Sequence, residues 1–307
     1  MTRHGALLLL TAASMAACGG DAAPARTFDG NRALAHAATQ VAAGPRVPGT
    51  PGHTRVAAWL DSLLRARADT VIQQRWDHVT LEGDTLALVN LIARFNPGSA
   101  ERLLFVAHWD TRPRSDGPGV APGDSAKPVP GANDGASGVA VLLGIADALS
   151  ATPPGVGVDL LFVDGEDYGD FSQKKDVMIG SRYYAQHPIG APPLYAVVFD
   201  MVGDRELRLP REGNSLVAAP EVVELVWSTA TDAGHGDVFV AHDGTTVNDD
   251  HVELQKGGIR AVDVIDFSYG PNHSWWHTPQ DTMDKIDARS LEIVGSVALR
   301  LVQREER

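Results

Sequence analysis

What most constrains this chain is a repeating pattern of short apolar runs, separated by helical patterns and ending in acidic or histidine residues. After Leu86–Ala93, the runs are Leu103–Ala107, Val158–Val163, Tyr195–Phe199, Val238–Ala241 and Ile259–Ile265. Helical spacing of apolar positions predicts helices over roughly Ala136–Leu149, Glu221–Ala233 and Ser290–Val302. An earlier helix places Val56, Trp59, Leu60, Leu63 and Leu64 on one side. Strands alternating with helices are the signature of a largely parallel α/β sheet. No internal repeat and no second composition regime interrupts it, so residues 28–307 are expected to form a single domain.

The residues that follow these runs point to a site. Leu103–Ala107 leads into His108-Trp-Asp110, Val158–Val163 into Asp164-Gly-Glu-Asp167, and Tyr195–Phe199 into Asp200-Met-Val-Gly203. Ile259–Ile265 precedes a loop with His273, Trp275, Trp276 and His277. In open α/β sheets ligands bind at the carboxyl ends of the strands. Asp134 joins them from the glycine-rich turn Gly131-Ala-Asn-Asp-Gly-Ala-Ser-Gly138, just before a helix. Singly, Asn133 and Asp134 read as helix caps and Glu166-Asp167 as a solvated turn. Together they converge on one rim, which unrelated caps and turns would reach only by coincidence.

Oxygen and imidazole donors without thiolate suit zinc or another borderline divalent metal, commonly held by three protein ligands in catalytic sites. The lone cysteine, Cys18, excludes a cysteine metal site and an internal disulfide. Gly165 permits the sharp turn that would let Glu166 and Asp167 address one point. One could then ligate while the other stays free as acid or base.

These motifs, with Trp276-His-Thr278, resemble the zinc aminopeptidase and glutaminyl cyclase group, from about Gly44 to the carboxyl end. The resemblance implies a three-layer α/β/α sandwich around a mixed, mostly parallel sheet. In the two-zinc aminopeptidase branch, His108, Asp134, Asp167, Asp200 and His277 would all be ligands. In the cyclase branch one zinc would be held by Asp134, Asp167 and His277 alone. Asp249-Asp-His251 and Trp276 are similar to the cyclase pattern, and the whole looks closest to bacterial glutaminyl cyclases of the animal type. Asp167 departs from the glutamate of animal cyclases. The resemblance implies Glu166 as proton shuttle, Asp249 and Asp200 as its carboxylate network, Trp276 as the pocket wall, and peptides with a free N-terminal glutamine as substrates. Asp110 would orient a ligand, His251 would be structural, and His277 is preferred over His273. The Thr111–Pro130 excursion is a pocket wall or an ordinary loop, and Lys174-Lys175 a solvated surface.

Acidic residues outnumber basic ones, 39 against 26, for a formal charge of -13, a field that repels nucleic acid. Residues 1–17 read as a lipoprotein signal peptide: Arg3 and His4, an apolar Ala6–Leu10 too short to span a bilayer, then small residues. Met15-Ala-Ala-Cys18 resembles the bacterial lipoprotein box, and residues 18–27 form a small-residue tether. The expectation is an exported lipoprotein, touching a membrane only through an anchor at Cys18.

Overall fold

The computed structural model describes residues 1, 2 and 26–307; Cys18 and most of the expected signal peptide and tether lie outside the described residues. The chain runs α1 (Gly30–Ala42), α2 (Pro51–Arg65), β1 (Thr70–Val79), β2 (Thr85–Phe95), β3 (Arg102–His108) and α3 (Ala136–Ala151). It continues through β4 (Gly157–Val163), α4 (Ile179–Gln186), β5 (Tyr195–Asp200), β6 (Leu209–Arg211), α5 (Gly213–Ala218) and α6 (Pro220–Asp232). Last come β7 (Phe239–Asp243), α7 (Asp250–Lys256), β8 (Ala261–Ile265) and α8 (Ala288–Glu305).

Six strands form one mixed sheet in the order β1-β2-β4-β3-β5-β8. The four strands from β4 to β8 are mutually parallel, and β2 and β1 extend the sheet antiparallel. Alternation splits each central strand between two cores. Leu103, Phe105 and Ala107 of β3 face the larger core with α1, α3 and α8, whereas Leu104 and Val106 face the smaller one with Tyr184 of α4 and Leu254 of α7. The expected α/β/α sandwich is therefore present. α3 is buried nearly all round, which its continuous apolar sequence requires. α1, α2 and α8 start at capping side chains: Asp29 accepts from Arg32 N, Thr50 from His53 N and Asp287 from Arg289 N.

Two expectations change. Val238–Ala241 does not join the main sheet; β7 pairs with β6 in a separate two-stranded ribbon. Its apolar content explains this: Phe239 is buried edge-on against Trp227 (5.6 Å), while Ala241, His242 and Asp243 are exposed. Conversely, β1 is a full edge strand that its polar sequence conceals. Its face against solvent tolerates Gln73, Arg75 and Asp77, and pairing with the apolar β2 holds it in register.

Candidate active site

The strand ends meet at one rim of the sheet, as the parallel topology dictates. His108 ends β3, Glu166 and Asp167 follow β4, and Asp200 ends β5. Gly165, at φ 74°, makes the turn that lets the two acidic neighbours diverge. Asp110 fixes them: its carboxylate oxygens accept from Glu166 N (3.1 Å) and Asp167 N (3.2 Å). Asp110 thus orients the loop as well as standing 3.6 Å from His108 Nδ1.

Asp134 is not a helix cap. The cap position of α3 is Gly135, and no side chain caps it. Asn133 instead accepts from Gly203 N at 2.7 Å, tying this turn to the end of β5. A close approach sets the helix position: a Cβ on Gly138 would stand 2.1 Å from Phe199 O. The Asp134 turn is held from beneath by Asp281, whose oxygens accept from Asn133 N (2.8 Å), Asp134 N (3.1 Å) and Tyr269 Oη (2.7 Å). Arg46, fully buried, donates to Trp109 O, Pro130 O and Gly131 O, bracing the same turn. Arg46 belongs to the turn-rich segment before α2, and nothing in its sequence context marks it as buried.

The donors fall into two groups that share Asp134. Asp134, Asp167 and His277 bring ligand-type atoms within 4.8 Å of one another, and so do His108, Asp134 and Asp200. In the first group His277 Nε2 lies 3.3 Å from Asp167 Oδ1 and 3.5 Å from Asp134 Oδ2. In the second, His108 Nε2 lies 3.2 Å from both Asp134 Oδ1 and Asp200 Oδ1. The first group fits a metal by its own chemistry. Its three donors are buried, and Asp134 Oδ2 and Asp167 Oδ2 have no hydrogen-bond partner among the described residues. Buried carboxylate oxygens of this kind are costly unless a cation or proton meets them. His277 Nδ1 lies 3.2 Å from Asp116 Oδ1, the carboxylate support common behind ligating imidazoles. His277 also has φ 53°, an uncommon backbone conformation for a residue with a Cβ.

Charge in this rim is concentrated and dry. Burial, then the neighbouring Asp167, pushes Asp134 up to about 6. Burial, then Asp200, likewise raises Asp249 to about 6. Desolvation is also the main cause that lifts Glu166 well above the usual carboxylate range. His277 is raised as well, but for a different reason: burial opposes its charge, and Asp167 and Asp116 outweigh it and hold it at about 9. Arg112 lies behind the first group, donating to Asp167 Oδ1 at 2.9 Å and to both oxygens of Asp116 at 2.6 Å. Neither Arg112 nor Asp116 stood out in the sequence; both sit in the Thr111–Pro130 excursion, which packs on the His277 segment through Asp116 N and Gly117 N (each 3.1 Å from His277 O).

Above the carboxylates lies a cavity of about 170 Å³, walled by Phe171, Val247, Ile265, Phe267 and Trp276. Asp134, Glu166, Asp200, Asp249 and His277 line its polar side. Trp276 stacks on His277, with ring centroids 3.7 Å apart, and Phe267 meets Trp276 edge-on at 5.3 Å. His273 also stacks on Trp276 (4.8 Å) and belongs to neither donor group. Lys174 and Lys175 are exposed beside a short bridge between Asp170 and Lys175. Phe171, Val247, Ile265 and Phe267 carry no polar signal, and only the fold makes them pocket walls.

Comparison with known proteins agrees with this geometry. A glutaminyl cyclase from Porphyromonas gingivalis superposes with a TM-score of 0.87 at 35% identity, covering 92% of this chain and 100% of that one. A Zn-dependent exopeptidase from Parabacteroides distasonis superposes with a TM-score of 0.86 at 36% identity, covering 92% and 99%. A bovine glutaminyl-peptide cyclotransferase-like protein is 27% identical over 271 residues, 77% of this chain and 66% of its own length. The chain thus spans about two thirds of that curated relative. The family model for peptidase family M28 matches residues 90–302, the stretch that carries every donor and the whole pocket, and the chain belongs to that family.

Proposed function

We propose that this chain is a zinc-dependent glutaminyl-peptide cyclotransferase, which converts an N-terminal glutamine into pyroglutamate and releases ammonia. The observation that carries this reading is the pocket: an apolar, tryptophan-walled cavity ending on Glu166 and Asp249, beside a three-donor group. It can enclose one side chain and present it to paired carboxyl groups. The full-length likeness to bacterial glutaminyl cyclases supports it.

Asp134, Asp167 and His277 would hold the zinc. Bound there, zinc supplies Lewis-acid polarisation of a carbonyl oxygen. The chain's own residues do the rest. Trp276 and Phe267 pack on the methylenes of the glutamine and exclude water, which suppresses hydrolysis of the amide. Holding the α-amine against the side-chain carbonyl makes the attack an oriented intramolecular one. Glu166 takes a proton from the attacking amine and returns it to the departing amide nitrogen as the new C–N bond replaces the old. Asp249 and Asp200 accept hydrogen bonds from the amine and fix its direction.

The second donor group favours one other reading, a two-zinc aminopeptidase in which His108 and Asp200 also ligate and Glu166 activates a water. Incubation of the zinc-loaded protein with a glutaminyl peptide, followed by mass spectrometry, separates them. Loss of ammonia from an intact peptide is the expected result, and a released amino acid supports the aminopeptidase.

Export as a lipoprotein anchored at Cys18 is also part of this proposal. It rests on the sole cysteine standing after Met15-Ala-Ala and on the signal-like residues before it. Among the described residues no helix is long and apolar enough to cross a membrane.

A further inference from the structure

Behind Asp249, away from the pocket, lies a second buried cluster of ionisable side chains. Glu212 precedes α5, His251 is on α7 and Asp263 is on β8. All three are buried, Asp263 in a strand whose other residues are apolar. His251 Nε2 stands 3.1 Å from Glu212 Oε2, and His251 Nδ1 stands 3.5 Å from Asp263 Oδ2. Asp249, His251 and Asp263 bring polar atoms within 4.8 Å of one another. An imidazole thus stands at ion-pair distance between two carboxylates, its ring nitrogens making no hydrogen bond among the described residues, and beside Asp249, which lines the pocket.

The connections run into the pocket wall. Glu212 Oε1 accepts from Asn214 N and Val247 N, both at 2.8 Å, and Oε2 from Ser215 N and Ser215 Oγ, both at 2.7 Å. Asn214 Nδ2 donates to Val247 O at 2.6 Å, so the Val247 peptide is gripped on both its groups. Ser215 Oγ in turn accepts from Asp263 N at 3.0 Å. Val247 and Asp249 both line the pocket. Asp249 spends Oδ1 on Asp250 N, whereas its Oδ2 has no hydrogen-bond partner among the described residues. That oxygen's direction therefore depends on what surrounds it. Although burial opposes the charge, His251 and the amide donors hold Glu212 down at about 2, so it is a fixed anion. Burial and the neighbouring Asp249 push Asp263 well above the usual range.

We propose that Glu212, His251 and Asp263 are positioning residues for Asp249: the carboxylate–imidazole–carboxylate array locks the Val247–Asp249 wall and aims the Asp249 carboxyl at the reacting amine. The inference rests on the function proposed above. Buried charges paired this closely are poor stabilisers compared with apolar packing, and specificity of geometry is the better account of their presence.

Asp263→Asn and Glu212→Gln test it, each nearly isosteric. A misplacement on the order of 1 Å can cost about a hundredfold in rate. Each variant is expected to lower kcat by about ten- to a hundredfold, with KM and zinc content at parental values. Combined with Asp249→Asn, either should add no further loss, because residues acting through one group are not additive. Losses that multiply with Asp249→Asn, or parental kcat in both single variants, overturn the proposal. If Asp263→Asn does not fold, Glu212→Gln carries the same cycle alone. Should the parent release an amino acid rather than ammonia, the cyclase reading fails. The same cycle, run on the hydrolysis rate, still decides whether the array acts through Asp249.

Discussion

Replacing Glu166 with glutamine separates chemistry from structure at this site. The side chain is buried and lines the pocket, with Oε2 3.9 Å from His108 Nδ1, and it lies outside the Asp134–Asp167–His277 group. Its backbone is pinned independently of the side chain, since Glu166 N donates to Asp110 and Glu166 O accepts from Met178 N at 2.9 Å. Glu166→Gln therefore keeps shape and loop while removing the proposed base. General acid–base groups contribute roughly 10²–10⁴-fold in rate, about 3–5 kcal/mol of barrier at 1.36 kcal/mol per decade. The expected result is a fall in kcat of that size, measured by ammonia release from a glutaminyl peptide, with KM little changed and zinc retained by elemental analysis. Asp167→Asn should behave differently. Asp167 Oδ1 accepts from Arg112 and lies 3.3 Å from His277 Nε2, so the amide weakens both the ion pair and the donor group. Activity should be lost with the metal and recovered in part by excess zinc. A Glu166→Gln protein as active as its parent would refute the assigned role.

Elemental analysis should find about one tightly bound zinc per chain, the usual count for a three-ligand catalytic site. Asp134→Ala or His277→Ala should lose it, and His108→Ala should keep it. Two equivalent zincs, one lost in His108→Ala, would instead indicate the aminopeptidase. Asp147, on α3, is half-buried between Arg32 (2.8 Å), Arg67 (2.5 Å) and His36 (3.2 Å). Burial opposes its charge, but His36 and Arg67 hold its carboxyl below the ordinary range. A depressed carboxylate stabilises the fold above its unfolded pKa of about 3.9 and loses that contribution as pH falls through its lower folded value. Asp147→Asn should therefore cost about 1 kcal/mol near neutral pH after solvent screening, and thermal melts should show the gap to the parent closing on acidification. Cys18→Ser should leave the precursor uncleaved and without lipid label; normal labelling of that variant would sink the anchor proposal.

The residues of the candidate site were legible in the sequence as a group because parallel topology turns a list of strand ends into a place. His108, Asp167 and Asp200 each follow a continuous apolar run, and such runs have one way to lie when helices cover both faces of a sheet. The same logic missed β1, whose polar face is half-exposed, and overread Val238–Ala241, whose apolar stretch is too short to hold a place in the main sheet. What only the tertiary structure decided was everything that approaches from elsewhere in the chain. Arg46, Arg112, Asp116 and Asp281 brace the donors across long sequence separations, and their own neighbours carry no period or motif that reveals it. The Glu212–His251–Asp263 array is of the same kind, assembled from the residue that caps α5, from α7 and from β8. A donor's identity is a local property of its motif. Its protonation, direction and dry surroundings come from contacts that exist only once the layers have closed.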